Sequence, residues 1–211
     1  ALVNTTTRMA IIPTGSGNGL ARELGITCDV KKAILQINTA EDFLMDTGLI
    51  GDHFFVGAAG FGFDAVIAHE FAKNKKRGFS SYIKIFLKKY LSYQSKSISV
   101  QGEDTDEKYF VYSILNSGQY GNGAVISPTS KLNDGVFELV RIKKIPFFLL
   151  PIYAFKLFNR SLKNNSIYQS TSFQNITIQG KEMMAHVDGE PIVLPDEFEV
   201  KMVEKSLWVV R

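Results

Sequence analysis

The stretch whose spacing most invites chemistry is Thr14, Gly15, Ser16, Gly17, Asn18 and Gly19. It follows an apolar segment, RMAIIP, and precedes one with helical character, residues 20–24. Glycines let a backbone approach an anion, and a helix start offers unpaired N–H groups and the positive end of a dipole. The hydroxyls of Thr14 and Ser16 add donors. The spacing matches neither the GxxxxGK[ST] phosphate loop nor the GxGxxG dinucleotide turn. The residues alone therefore leave a phosphate cradle and a plain strand–helix turn both open. Ser16 is not a convincing nucleophile, because no histidine partner can be argued for it. Acids stand at two Asp-Gly dipeptides, Asp134-Gly135 and Asp188-Gly189, the second followed by Glu190. Asp-Gly is an ordinary hairpin turn, so solvated acids are the plain reading of both. Asp64 follows a glycine-rich apolar run and reads as the start, or N-cap, of a helix. His53, His69 and His186 are too dispersed for a metal site, and His186 reads as a strand residue. The single cysteine, Cys28, excludes an internal disulfide and any Cys/His zinc pattern.

The elements that would position these residues follow from periodicity. Residues 9–13 read as a short strand, 20–24 and 30–37 as helices, and 43–63 as a hairpin turning near Gly51-Asp52. Helices are expected over 64–73 and 80–93, around a basic loop at 74–78. From Ser97 strands dominate: SISVQG, YFVYSILNSG, VFELVRI, FQNITIQG, EMMAHVDG, EFEVKMV and LWVV, with one helix at 146–160 among them. A small α/β piece therefore comes first and a β-rich body follows. The expected fold is α+β: a remnant of an α/β domain over 1–43, a sandwich-like β-rich domain over 44–195, and C-terminal strands over 196–211 returning towards the remnant. A strand and two helices cannot shield a sheet by themselves, so more chain is expected upstream.

The 211 residues are 45% hydrophobic and 21% charged, an ordinary globular balance that supports one large core or two small ones. The charge of +3 is unevenly spread, since residues 71–102 hold eight Lys or Arg and no acid, which leaves the remainder net acidic. A second acid-free stretch, 139–181, holds Arg141, Lys143, Lys144, Lys156, Arg160, Lys163 and Lys181. Such patches suit phosphates, anionic lipid or nucleic acid, or are simply solvated faces. No secretory leader is visible, and the longest apolar run, 145–155, is short of the roughly 20 residues a bilayer needs. The segment IPFFLLPIYAFKLF, 145–158, carries four phenylalanines beside basic residues, a composition open to interfacial docking as well as to covering the β body.

Taken together, IIPTGSGNGLARELGI, GAAGFGFDAVIA at 57–68, NSGQYGNGAVISPTSKLNDGVFEL at 116–139 and HVDGEPI at 186–192 resemble, in order, the motif blocks of the diacylglycerol kinase-like and sphingosine kinase-like lipid kinases. Gly19 stands where bacterial members often carry Asp, which is closer to the sphingosine and ceramide kinases. A GGDGT-like first nucleotide loop does not occur in the chain and is expected upstream of Ala1.

The resemblance implies ATP-dependent phosphorylation of a lipid hydroxyl, on diacylglycerol or a sphingoid-type alcohol, with ATP and Mg²⁺ as cofactors. It casts Asp188 as general base and Glu190 as a partner of nucleotide or Mg²⁺. Thr14, Gly15, Ser16, Gly17 and Asn18 become the nucleotide loop, with Lys76 and Arg77 reaching phosphates. Asp64 would contact the lipid headgroup or orient the base. Asp134, with the carbonyls of Lys131 and Val136, would hold a structural Mg²⁺. The expected partners are a lipid substrate and, transiently, a membrane surface, with no nucleic acid. A homodimer could cover the first strand, and the setting expected is cytoplasmic and peripheral to membranes. The chain by itself is expected to show little kinase activity. Two alternatives remain: a non-catalytic lipid-binding module, and a soluble-metabolite kinase related to NAD kinase.

Overall fold

The computed structural model describes residues 1–73, 79–95, 97–101, 107–181 and 183–211. Helix α1 (Gly19–Glu23) and helix α2 (Val30–Ile37) come first, α2 capped by Asp29, whose carboxylate accepts from Lys31 N–H (3.0 Å) and Lys32 N–H (3.2 Å). Strands β1 (Asp42–Ile50), β2 (His53–Phe55) and β3 (Ala58–Gly62) follow, then helices α3 (Phe63–Lys73) and α4 (Phe79–Tyr90). Next come β4 (Ile98–Val100), β5 (Val111–Leu115), β6 (Gln119–Gly121), β7 (Ala124–Val125) and β8 (Phe137–Ile142). A 3₁₀ turn at Phe147–Leu149 leads into α5 (Leu150–Phe158). The chain ends in β9 (Tyr168–Phe173), β10 (Asn175–Gly180), β11 (Met183–Val187), β12 (Glu190–Leu194) and β13 (Glu197–Val210).

The strands form a five-stranded sheet, β2-β1-β13-β10-β4, and a six-stranded sheet, β12-β11-β3-β5-β8-β9, with β6 and β7 as a separate hairpin. The two large sheets face each other. Phe55, Ile178 and Phe198 of the first meet Phe61, Tyr112, Phe137 and Leu139 of the second in one buried cluster. The outer face of the six-stranded sheet is covered by α3 and α4, through Phe63, Ile67 and Tyr90, and by α5, through Tyr153 and Leu157. Strand β5 shows the logic of period two. Tyr112 and Ile114 enter the sandwich, whereas Val111 and Leu115 meet the helices outside. The arrangement is the α+β, β-rich sandwich expected from the strand density. Among the described residues no helix is long and apolar enough to cross a membrane.

Several local expectations need correction. Of residues 9–13 only Met9 pairs, in a parallel bridge to Val209, because β13 offers that segment a single free edge. The hairpin over 43–63 does not continue as one: β2 stays beside β1, the chain breaks at Val56-Gly57, and β3 joins the other sheet. EFEVKMV and LWVV are a single strand with an irregularity opposite Met45–Thr47, where Lys205 has φ 46°. Strand β9, YQSTSF, was missed because its side chains are polar. It is an edge strand, and burial imposes no apolar pattern on it.

Gly48 of β1 lies under the fully buried ring of Phe55, and a Cβ there would stand 2.1 Å from that ring. Gly48→Ala is therefore expected to destabilise the fold by about 1–3 kcal/mol, the usual cost of overpacking. Urea unfolding reads this directly, and an unchanged midpoint would show that the Phe55 pocket has slack.

Candidate active site

The break between β2 and β3 is built around Asp188. Its carboxylate accepts three backbone N–H groups, from Val56 (2.8 Å), Gly57 (2.8 Å) and Ala58 (3.0 Å), while its own N–H donates to Ala58 O (2.7 Å). Asp188 and Gly189 both have positive φ, 48° and 87°, and join β11 to β12 with Val187 opposite Glu190. This is the two-residue turn that Asp-Gly favours. The peptide it caps receives two further bonds, since Gly57 O accepts from Asn116 N–H (3.0 Å) and Ser117 N–H (2.9 Å). Asn116 is fully buried and donates its side-chain amide to the carbonyls of Asp46 and Val56, both at 2.8 Å.

Residues 14–19 sit on the hairpin that follows. Gly17 O accepts from Asn122 N–H (2.8 Å), and a Cβ on Gly17 would lie 3.6 Å from Gly121 Cα. Among the described residues nothing accepts from the N–H groups of residues 15–18. Asn18 takes a left-handed conformation (φ 50°) and donates weakly to Pro13 O (3.5 Å). Helix α1 has five residues, too few for a strong dipole, so the free amides of the loop itself are the anion-attracting feature. Burial raises the carboxyl of Glu23, on α1, against the opposing influence of Arg160 and of hydrogen bonds from Ser117 and Gln119. Loop 14–19, the β6–β7 hairpin, Asn116, Gly57 and Asp188 thus form one continuous chain of contacts.

A second polar cluster lies on the outer face of the six-stranded sheet. Pairing puts His186, Gly60 and Ser113 in one row across β11, β3 and β5. Asp64, in the first turn of α3, reaches back over that row. Its Oδ2 accepts from Tyr120 OH (2.6 Å) and Ser113 Oγ (3.1 Å) and lies 3.3 Å from His186 Nε2. Its Oδ1 accepts from Ala65 N–H (2.8 Å). A carboxylate only accepts, so Nε2 carries the proton, and the buried Nδ1 of His186 has no partner. Any Cβ on residue 60 would stand 2.2 Å from Asp64 Oδ2 and 2.7 Å from His186 Nε2. Glycine is the residue that lets acid and imidazole meet there. The Tyr120 phenol is held well above its ordinary range by burial first and then by the Asp64 charge. Tyr82 and Tyr93 are pushed up to about 12, again by burial and then by Asp64.

Asp134 lies in the exposed turn before β8 and accepts one long bond from Val136 N–H (3.4 Å). Asp46 lies behind it, fully buried, with Gly135 N–H (2.9 Å) and Lys205 N–H (2.7 Å) on its two oxygens. The Asp134 carboxyl is raised by burial, with a smaller contribution from Asp46, and Lys131 opposes the shift. Among the described residues no three His, Cys, Asp or Glu side chains form a metal cluster. One carboxylate with carbonyls and waters nevertheless suits a hard cation such as Mg²⁺.

Family models match both parts of the chain. The YegS C-terminal NAD kinase beta sandwich-like domain matches residues 57–209, and the diacylglycerol kinase catalytic domain matches residues 1–50. The chain belongs to the diacylglycerol kinase-like lipid kinase family. A probable lipid kinase YegS-like protein of Pseudomonas putida is 27% identical over 142 residues, 65% of this chain and 48% of that one. Its counterpart in Yersinia pestis is 26% identical over 189 residues, 87% of this chain and 63% of that one. The chain spans about half the length of the first of these relatives. A diacylglycerol kinase structure from Bacillus anthracis shares the fold, with a TM-score of 0.70 at 13% identity, over 96% of this chain and 66% of that one.

In this lipid kinase-like chain the sequence-predicted residues divide by position. Residues 14–18 and Asp188 are joined through the contacts above, and Glu190 follows on the exposed start of β12. Asp64 is buried among its own donors rather than presented at the surface, and it stands within the first turn of α3 rather than ahead of it as an N-cap. Lys76 and Arg77 lie outside the described residues. Asn116, which with Gly123 the sequence suggests as a shaper of the turn beside the site, stands at the Gly57 break. The sequence reading missed Asp46, Ser113 and Tyr120, and it took His186 for a plain strand residue. The bonds of Ser113, Tyr120 and His186 to Asp64 span 49 or more positions in sequence, and local spacing carries no signal for that.

Tyr120→Phe removes the shortest donor to a buried carboxylate. It is expected to cost about 1–3 kcal/mol of stability, read from thermal or denaturant unfolding. A variant as stable as the parent would show that water or Ser113 replaces the phenol without loss.

Proposed function

We propose that the protein transfers the terminal phosphoryl group of ATP to a lipid hydroxyl, on diacylglycerol or a sphingoid-type alcohol, with part of the nucleotide site supplied by sequence upstream of Ala1. The observation that carries this reading is the connection from loop 14–19 to the Asp188 turn, by the Gly17–Asn122 bond, the backbone of residues 116–122, and the bonds of Asn116 and Asp188 at Gly57. Phosphoryl transfer is mostly positioning and charge stabilisation. The loop amides, with the hydroxyls of Thr14 and Ser16, hold phosphate oxygens. Asp188 accepts the proton of the attacking hydroxyl. A carboxylate has about four lone-pair sites, and three are occupied by backbone N–H groups, so one remains for substrate. Glu190 lies beside it to face nucleotide or its metal. Mg²⁺ would neutralise charge building on the phosphates. Asp134 with the carbonyls of Lys131 and Val136 would hold a second, structural ion.

The double role of Asp188 shapes its test. In the protein with its upstream sequence, Asp188→Asn keeps a side chain that tolerates positive φ but turns one acceptor into a donor facing N–H groups. Turnover is expected to fall by about 10²–10⁴-fold, as for a lost base, at nearly unchanged nucleotide affinity. The assay pairs Mg-ATP with diacylglycerol, sphingoid bases and NAD⁺, and calorimetry measures nucleotide binding. Near-normal turnover removes Asp188 from the base role, and phosphorylation of NAD⁺ alone overturns the lipid reading.

The ion at Asp134 has its own readout. Millimolar Mg²⁺ is expected to raise the melting temperature of the parent chain and to leave Asp134→Asn unmoved, by ordinary ligand linkage. Equal responses in the two proteins would remove the site.

A further inference from the structure

The outer face of α5 has no partner in the fold. The helix has two sides. Leu150, Tyr153 and Leu157 turn inward onto the six-stranded sheet and its covering helices. The opposite side carries Ile152, Phe155 and Phe158, continued by Phe148 of the preceding 3₁₀ turn, with exposures of 51%, 68%, 47% and 78%. Phe147, in the preceding turn, is 61% exposed. A helix that only covered a sheet would carry polar residues on that side, and here the chain places large apolar ones.

Cations surround the stripe. Lys144 lies just before the turn, Lys156 on the flank of the helix with its ammonium 5.3 Å from the Tyr153 ring centroid, and Lys163 just after. Among the described residues none of these three lysines is in an ion pair, whereas Lys143 is held by Glu107. No acid occurs between residues 139 and 181. Lys144 is partly engaged, donating to Tyr93 O (3.5 Å) and lying over the Tyr90 and Phe110 rings, but no acid offsets its charge or those of Lys156 and Lys163. An apolar face flanked by ammonium groups without acid partners matches the layering of a bilayer surface, acyl chains beneath and anionic headgroups beside. The same charge pattern disfavours a second copy of the chain, since a two-fold contact through this face would bring like charges together. The nine-residue helix cannot cross a membrane. The N-terminal residues attach elsewhere, where Asn4 N–H meets Ser206 O and Met9 bridges Val209 on the five-stranded sheet.

We infer that the α5 face, led by Phe148 and Phe155, inserts into the interface of anionic lipid bilayers. The inference deepens the lipid-phosphorylation reading by naming the surface that would bring the enzyme to its substrate. It is tested without turnover, so the two can fail separately. The 211-residue chain is sedimented with vesicles of equal parts phosphatidylserine and phosphatidylcholine. These contain no diacylglycerol or sphingoid base, and no ATP is added. The parent is expected to bind, and Phe148→Ser with Phe155→Ser to lower the partition coefficient about tenfold or more. Lys156→Gln with Lys163→Gln, and separately pure phosphatidylcholine vesicles, are each expected to weaken binding several-fold. Added salt should do the same, because screening at about 0.1 M acts over about 10 Å. All four positions are at the surface or its edge, and unchanged melting curves confirm folding. A parent that stays in the supernatant overturns the inference, as does equal binding by both double variants. It also fails if the phenylalanine variant shifts from dimer to monomer in sedimentation velocity while vesicle binding is unchanged, because the face would then belong to a second copy.

Discussion

The fold and the candidate site both depend on the three N–H bonds that the Asp188 carboxylate accepts from Val56, Gly57 and Ala58. At that point the chain leaves the five-stranded sheet and enters the six-stranded one. A strand that stops pairing on one side and has not yet begun on the other exposes its amides, and such groups must find acceptors. A carboxylate on a tight turn satisfies all of them at once. The carbonyl of the same peptide is satisfied from the opposite side by Asn116 and Ser117. The DGE turn, the glycine-rich strand and the Asn116 segment, far apart in sequence, are therefore held in one place by backbone bonding. Substituting Asp188 alters geometry as well as any proton transfer, so turnover and stability have to be read together.

The Asp64 cluster follows a similar rule on the other side of the sheet. Period two sends Gly60, Ser113 and His186 outward, into a face that is otherwise apolar. A buried carboxylate there is costly unless every donor is in place. Tyr120, Ser113, His186 and the Ala65 amide supply four. The remaining loose end is Nδ1 of His186, buried and unpartnered. The cluster pins the start of α3 to β11, the strand that leads into Asp188, so the placement of the DGE turn depends on a helix that makes no contact with loop 14–19 in the bonding described.

Sequence and structure agree where the signal is local. The glycine-rich turn, the Asp-Gly hairpin at 188–189, the helices at 30–37 and 63–73 and the density of strands after Ser97 all follow from spacing and turn chemistry. What was illegible is long-range. Nothing local shows that the arm after Gly51 changes sheets, because the cause, Asp188, lies 131 residues from Gly57. Strand β9 has no apolar pattern, since an edge strand rich in Ser and Thr is specified by its neighbour's pairing. Asp46 carries no local signal either, since its two oxygens find their amides at Lys205, in the irregular part of β13, and at Gly135, in the turn before β8.

The aspartates are distinguished by how completely the protein satisfies them. Asp46 and Asp188 have both oxygens on backbone amides, and Asp64 has both oxygens engaged, so each is neutralised by fixed dipoles rather than by a cation. Fixed dipoles suit buried or turn-forming acids, because they need no mobile partner and lose nothing to salt. Asp134 is the contrast. It accepts one long bond, and its carboxyl is raised by burial first, with the Asp46 charge a smaller contribution. A raised carboxyl at an exposed turn is one whose anionic form lacks compensation, and a divalent cation supplies what the amides do not. Under the proposed function, an ion at the turn before β8 would supply there the compensation that Asp46 draws from the Gly135 and Lys205 amides.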